Sequence, residues 1–237
     1  MTALTERWIP ASTAMVAAAL VLSGCSDAEA DRPAGASVTA AASRSPEPPL
    51  TKEQLKLLAF KDGEVPQAHS APVQDPGPKS GQKRFPPVSD ASCQRALDVL
   101  GSETASAFVF QIFNWKENIM GGDSTLASYE GTKAQDAFRQ LQESLRTCKS
   151  FTGVGWTGKY KAKITVEQAP DVGDEALSFH LTMPLPDGGG LRDEHHVFVR
   201  TGNVTASFQE LNVDRKAEFP LDLVKKQVDR LASAQGG

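Results

Sequence analysis

The sequence predicts an α+β fold in which helices pack on an antiparallel sheet of about six strands. Some segments place apolar residues at helical spacing, whereas others alternate apolar and polar residues as half-buried strands do. Gly202-Asn203 lies between two strand-like runs and is a strong signal for a hairpin. The predicted elements follow in the order helix, helix, strand, strand, helix, four strands, helix. This order favours an α/β sandwich that forms a single domain.

Two helices are predicted at the start of the folded region. The first begins at Thr51, because Thr51 and Gln54 have the spacing of a capping box. Residues 63–90 are rich in proline and glycine, which predicts a long loop without regular structure over most of its length. The second helix ends at Gly101 and carries four residues at helical spacing: Cys93, Ala96, Leu97 and Leu100.

The middle of the chain predicts two strands and a helix. Residues 108–115 are apolar on both alternating faces except at Gln111 and Asn114, which predicts a central strand covered on both sides. Residues 125–130 are its predicted partner. A second capping box, formed by Thr132 and Gln135, opens the third helix. The buried stripe of that helix is predicted to consist of Ala134, Phe138, Leu141, Leu145 and Cys148.

The last part of the chain predicts four strands and a final helix. Residues 159–166 alternate lysines with Tyr160, Ala162 and Ile164, as a strand with one wet face does. The alternation is repeated over residues 177–183, and residues 197–201 and 204–211 form the predicted hairpin. Pro220 suits the first turn of a helix. Its predicted buried stripe consists of Leu221, Val224, Val228 and Leu231.

The N-terminal residues predict export and a lipid anchor. An apolar run is followed by a bacterial lipobox that consists of Leu22, Ser23, Gly24 and Cys25. The run is far shorter than the about 20 residues that a membrane-spanning helix needs. We therefore predict a lipoprotein signal peptide over residues 1–24, and a diacylglyceryl anchor on Cys25 that holds the protein on the extracytoplasmic face of the cell membrane. Plain secretion, with Cys25 incidental, is the alternative.

Composition divides the rest of the chain into a tether and one domain. Residues 25–49 contain no aromatic residue and a single valine, so they cannot bury enough apolar surface to fold. Residues 50–235 are long enough for one domain with its own core. The net charge of −4 and the lack of a long basic cluster argue against nucleic acid as a partner.

Two cysteines remain besides Cys25. Cys93 and Cys148 are an even pair in a chain predicted to be exported, which favours a disulfide. Cys148 also falls on the core side of a predicted helix end, where it suits a bridge to the helix of Cys93. Two buried free thiols are the alternative.

A further set of motifs appears in a fixed order along residues 50–234. The set comprises Leu50 to Leu58, the Cys93 helix, the strand ending at Trp115, Tyr129 to Cys148, Gly173 to Ala176, and Arg200 to Asn203. In this order the chain resembles the PknH-like extracellular sensor domain of actinobacterial receptor kinases and lipoproteins. The resemblance implies a domain that binds an envelope ligand in a groove and carries no catalytic motif. Family members with two disulfides have four cysteines, whereas this domain has two.

Motifs for catalysis and metal binding are weak in this sequence. Asp193 to His196 could supply metal ligands, but His195 and His196 point to opposite faces of a strand, so His180 would have to join them. We predict a solvated strand end instead, and no metal or cofactor. Ser80 and Lys83 match a penicillin-binding Ser-x-x-Lys pattern but lie in the proline-rich loop, so the match is attributed to chance. No catalytic residue is predicted.

Two groups of residues are candidates for binding. Trp115 and Trp156 each lie near glycines, where an amphipathic ring can line the mouth of a pocket, although core packing is the alternative. Lys159, Lys161 and Lys163 form a positive row that either contacts an anionic envelope component or is a solvated face.

The sequence therefore supports one main hypothesis on function and two others. The main hypothesis is a non-catalytic, lipid-anchored envelope protein that binds a ligand or a protein partner. The second is an envelope hydrolase with a dispersed site around His180, His196 and Asp193. The third is a structural or escort protein that uses the lysine row or the proline-rich loop. A pocket without a nucleophile favours binding, and a flat surface favours the third.

Overall fold

The structure is a computed structural model that describes residues 48–74, 85–155 and 158–235. The predicted signal peptide, Cys25 and its lipobox, and the tether up to residue 47 lie outside the described residues. The elements are α1 (Lys52–Leu58), β1 (Ala68–Ser70), β2 (Val73–Gln74), α2 (Ala91–Leu100), β3 (Ala107–Trp115), β4 (Gly122–Ser128), α3 (Lys133–Thr147), β5 (Ser150–Gly155), β6 (Gly158–Glu167), β7 (Glu175–Pro184), β8 (Leu191–Thr201), β9 (Val204–Val213) and α4 (Leu221–Gln235).

The strands form one antiparallel sheet in the order β1-β3-β4-β9-β8-β7-β6-β5, and β2 also pairs with β3. The predicted α+β class is confirmed, with nine strands in the described residues rather than about six. The sequence missed β1 and β2, which are short and lie in the proline-rich region, and β5, which contains glycines. No helix of the described residues is long and apolar enough to cross a membrane.

Helices cover both faces of the sheet. Helices α2 and α3 pack on one face, named here the α2–α3 face, over a core that includes Phe151, Phe179 and Phe198. Helices α1 and α4 pack on the opposite α1–α4 face, over a core that includes Phe113 and Phe208. Each face therefore packs against its own pair of helices.

The disulfide that the sequence predicts is confirmed. Cys93 and Cys148 are bonded at an S–S distance of 2.01 Å, and both are fully buried in the core beneath α2 and α3. Because Cys93 lies in the first turn of α2 and Cys148 caps the end of α3, the bond joins the two helices of the α2–α3 face.

Three local predictions are wrong. Strand β3 is not central but lies near the sheet edge, and only its odd-numbered side chains from Val109 to Trp115 are buried. Thr132 makes no side-chain hydrogen bond to α3, because its backbone (φ −91°, ψ 2°) is not extended as a capping residue's is. Leu221 is 44% exposed and Leu223 is buried in its place, since α4 turns a slightly different face to the sheet.

Candidate functional site

Helices α2 and α3 cover only part of their sheet face, and the uncovered part forms a groove of about 620 Å³. This volume is within the range of small-molecule sites. The groove is lined mostly by apolar side chains from α2, the strands and the loops that flank them. The lining residues are Phe85, Leu97, Leu100, Phe110, Ile112, Asn114, Ile119, Met120, Gly121, Gly122, Asp123, Phe151, Gly155, Tyr160, Leu181, Met183, Arg192, Glu194, His196, Gln209 and Leu211.

The groove floor follows from strand alternation and register. On β3, Phe110 and Ile112 project to the α2–α3 face, while the alternate residues Val109 and Gln111 lie on the other face. On β7, Leu181 and Met183 also project to the α2–α3 face. The ladders then place these apolar side chains in rows that run across the sheet, so residues distant in sequence share one surface.

Three charged or titratable side chains on β8 lie in this apolar floor. Arg192 Nε donates a hydrogen bond of 2.6 Å to Glu194 Oε1, and His196 Nε2 lies 3.2 Å from Glu194 Oε2. The His196 ring stacks on Phe179, with the ring centres 4.9 Å apart. Residues 192, 194 and 196 point to one face because the side chains of a strand alternate. The groove therefore has a small polar centre within an apolar lining.

The polar centre is electrostatically paired. The largest single effect on the pKa of Glu194 is burial, which raises it. The hydrogen bond and charge of His196 and the charge of Arg192 together outweigh burial, so the pKa lies below its ordinary value. Glu194 is therefore ionised at neutral pH. Burial, and then the charge of Glu194, raises the pKa of Tyr160, so the Tyr160 hydroxyl in the groove stays neutral.

The open end of the groove is formed by the turn between β3 and β4, residues 116–121, named here the β3–β4 turn. Ile119 is 99% exposed and Met120 is 45% exposed, although both line the groove. The end of β5, the loop after β7 and the start of β8 lie at the same end of the antiparallel sheet. Exposed apolar side chains at this end give the groove an apolar entrance.

A second polar cluster lies on the α1–α4 face. His180 Nδ1 is 2.6 Å from Asp193 Oδ1, and its Nε2 is 3.3 Å from Glu167 Oε2. His180 and His195 stack with their ring centres 4.8 Å apart. His180 and residues 193–196 are all buried, so the prediction of a solvated strand end is wrong. Burial arises because β7 and β8 have neighbouring strands on both sides and because residues 214–219 fold over this face.

This cluster contains the ligand types of a metal site, since single ligand atoms of Glu167, His180 and His195 lie within 4.8 Å of one another. The hydrogen bonds of His195 show which of its ring nitrogens carries the proton. The Phe219 N–H donates to His195 Nδ1 at 3.0 Å, so the proton is on Nε2, which donates to Ser178 Oγ at 2.9 Å. In this arrangement His195 has no lone pair free for a metal ion.

The predicted site residues fall in different places. Trp115 is buried in the core of the α1–α4 face, stacked on Phe113 at 4.9 Å, and does not line the groove. Trp156 lies outside the described residues, as do Ser80 and Lys83. A contact of either tryptophan with a ligand stays a prediction. The lysine row of β6 is exposed on the α1–α4 face, away from the groove.

The dispersed catalytic set is not assembled. His180 and Asp193 are in contact on the α1–α4 face, whereas His196 lies on the α2–α3 face beside Glu194. Sequence reasoning missed the groove residues on β3, β7 and β8. A signal for those on β3 was present, because residues 108–115 are apolar on both alternating faces.

The fold has a known counterpart. No protein-family model and no curated protein matches this chain. Among solved structures, the extracellular domain of PknH from Mycobacterium tuberculosis is similar, with a TM-score of 0.54 and 13% sequence identity. The alignment covers 79% of this chain and 97% of that one. At this identity the similarity shows a shared fold, and it confirms the fold that the resemblance implied.

Proposed function

We propose that this protein is a lipid-anchored cell-envelope protein whose extracytoplasmic domain binds an apolar or amphiphilic ligand in the groove without converting it. The observation that carries the proposal is the groove itself. It offers about 620 Å³ between α2 and the sheet, and its apolar walls surround one paired polar centre on β8. An apolar cleft with a few convergent polar groups is the usual form of a small-molecule site.

The lining supports binding rather than catalysis. None of the described lining residues is a serine, threonine, cysteine or lysine, the side chains that most often act as nucleophiles. Glu194 is engaged by both Arg192 and His196. The shared fold with the extracellular domain of a kinase supports an extracytoplasmic location, in keeping with the lipobox that ends at Cys25.

The ligand-binding part of the proposal is tested with an apolar fluorescent probe and two variants. Met183→Glu places a charge in the groove, and Val154→Glu places the same charge on a 58%-exposed aliphatic position of the α1–α4 face. We expect the first variant to weaken probe binding at least about tenfold, and the second to leave it unchanged. Equal probe binding by wild type and Met183→Glu, with both folded by circular dichroism, contradicts the proposal.

The anchor and the bound ligand are tested on the protein extracted from cell membranes in detergent. Native mass spectrometry is expected to show an acylated chain that begins at Cys25, an oxidised Cys93–Cys148 pair and a co-purifying apolar molecule. The Cys25→Ala variant is expected to leave the membrane fraction. An unmodified Cys25, or a chain that retains Met1, contradicts the anchored location.

A further inference from the structure

We propose that Glu210 positions the β3–β4 turn at the groove entrance and thereby makes ligand binding depend on pH. The inference rests on the proposed function for its effect on ligand binding, but not for its effect on the turn. The turn matters to the groove because Ile119, Met120 and Gly121 belong to its lining.

Few bonds hold this turn to the sheet. Asn118 Nδ2 donates to Glu210 Oε1 at 2.6 Å and to the Leu211 carbonyl at 2.8 Å, while Asn118 Oδ1 accepts from the Met120 N–H at 3.0 Å. Two backbone bonds add to them: the Leu211 N–H donates to the Gly121 carbonyl at 3.3 Å, and the Lys116 N–H, at the start of the turn, donates to the Gln67 carbonyl at 2.9 Å. Asn118 therefore connects the turn to β9, and Glu210 is one of its two partners there.

Glu210 is itself held in a confined position. It is 6% exposed, and its Oε2 accepts a hydrogen bond from Trp115 Nε1. A Cβ on Gly122 would lie 2.7 Å from Trp115 Nε1 and 2.8 Å from Glu210 Oε2, so only glycine leaves room for this contact. The strands on either side of Glu210 are fixed by their backbone hydrogen bonds. A change in the protonation of Glu210 is therefore expected to displace the turn rather than the strands.

Burial without a cationic partner makes the Glu210 carboxyl sensitive to protonation. Facing it are Trp115 of β3, Gly122 of β4, Asn118 of the turn and His195 of β8, and among the described residues no lysine or arginine forms an ion pair with it. His195 is neutral, since burial lowers its pKa to about 4. Burial of Glu210 raises its pKa to about 7, and the hydrogen bonds from Asn118 and Trp115 oppose this only in part.

The direction of the pH effect follows from the linkage between protonation of Glu210 and the position of the turn. With the turn in place the pKa of Glu210 is about 7, whereas access of water would return it toward 4.5. Raising the pH through 7 therefore favours the conformation in which the carboxylate is hydrated. The turn is the part that can move, because its residues 118–121 are held to β9 by the Asn118 side chain and a single backbone bond. We expect the turn to be closed at acidic pH and displaced at alkaline pH.

The effect on the turn is tested by NMR without any ligand. In the wild type we expect the Trp115 indole N–H and the Ile119 and Met120 amide resonances to titrate together near pH 7. Glu210→Gln, which stays neutral, should abolish this titration, and the control Glu143→Gln on the exposed face of α3 should retain it. Asn118→Ala should uncouple the turn amides while the Trp115 indole still titrates. Turn amides that do not titrate, or that titrate equally in Glu210→Gln, overturn the proposal.

The effect on binding is tested with the apolar fluorescent probe at pH values of about 5.5 and about 8.5, on either side of the Glu210 transition. Wild-type affinity should be higher at acidic pH by about fivefold or more, and Glu210→Gln should lose this difference. Turn resonances that titrate without a change in probe affinity overturn the link to binding. If the probe fails to bind at any pH, the proposed function is contradicted, and the NMR titration alone decides the role of Glu210.

Discussion

At the scale of single residues, Gln111 shows why an apolar strand can carry a polar side chain. It is fully buried, and its Oε1 accepts from the Phe60 N–H while its Nε2 donates to the carbonyls of Phe60 and Ala71. The side chain thus bonds to the backbone of Phe60 and Ala71, on either side of the segment that contains β1. In the sequence it looked like an exception to the pattern, whereas in the structure it attaches the proline-rich region to β3.

Gln111→Leu is expected to lower the free energy of unfolding by about 3 kcal/mol, because it leaves three buried backbone groups without partners. The measurement is chemical denaturation. Asn114→Ala serves as the control on the same strand, since its bond to Ser70 Oγ is exposed and is expected to contribute less than about 1 kcal/mol. A similar loss in both variants would contradict the role assigned to Gln111.

His195 gives a second prediction at this scale. Burial and the neighbouring His180 lower its pKa from 6.5 to about 4 in the folded protein. The unfolded chain therefore binds more protons between these values, so this histidine's contribution to stability is complete above pH 6.5 and is lost as the pH falls toward 4. We expect the loss to be on the order of 2 kcal/mol.

The measurement is the free energy of unfolding of wild type and His195→Asn as a function of pH. Asparagine can still accept the Phe219 N–H but does not titrate, so the variant should lose less stability than wild type over this interval. Parallel curves for the two proteins would show that His195 does not contribute this pH dependence.

At the scale of elements, the two predicted capping boxes separate sequence pattern from backbone geometry. At α1 both bonds form, since Thr51 Oγ1 accepts from the Gln54 N–H and Gln54 Oε1 accepts from the Thr51 N–H. At α3 the same pattern forms neither bond, because Thr132 does not have extended backbone angles. The pattern is therefore necessary for a capping box but does not ensure one.

Thr51→Ala is expected to cost about 1 kcal/mol of unfolding free energy, whereas Thr132→Ala should change it by less than about 0.5 kcal/mol. Thermal or chemical denaturation of the two variants makes the comparison. The pair is matched in residue type and in position relative to a helix. An equal cost at both sites would mean that Thr132 caps α3 after all.

The elements also show where prediction from sequence stops. The long helices α2, α3 and α4 and the β8–β9 hairpin were predicted because their signals are local: periodic stripes, Gly101 and Gly202-Asn203. Strands β1 and β2 were missed because they are two or three residues long and exist only through their pairing with β3. The same limit applies to β5, which β6 holds at the edge of the sheet.

At the scale of the whole molecule, the Cys93–Cys148 bond connects α2, which lines the groove, to α3. The bond closes a loop of 55 residues, so its removal in a Cys93→Ala/Cys148→Ala variant should lower the unfolding free energy by about 4 kcal/mol. Because Leu97 and Leu100 of α2 line the groove, we also expect weaker probe binding. Unchanged stability in chemical denaturation would contradict this structural role.

Local signals were enough to predict the class of the fold and the type and order of the main elements, because capping, periodicity and turn chemistry act over a few residues. The disulfide could be predicted because Cys93 and Cys148 are the pair that remains besides Cys25. Which residues lie together in space became clear from the packed fold. The groove joins residue 97 of α2, Ile112 and Arg192, and the turn is held by Glu210, more than 80 residues away. Strand order and register bring these residues together, and both are set by long-range packing of the sheet.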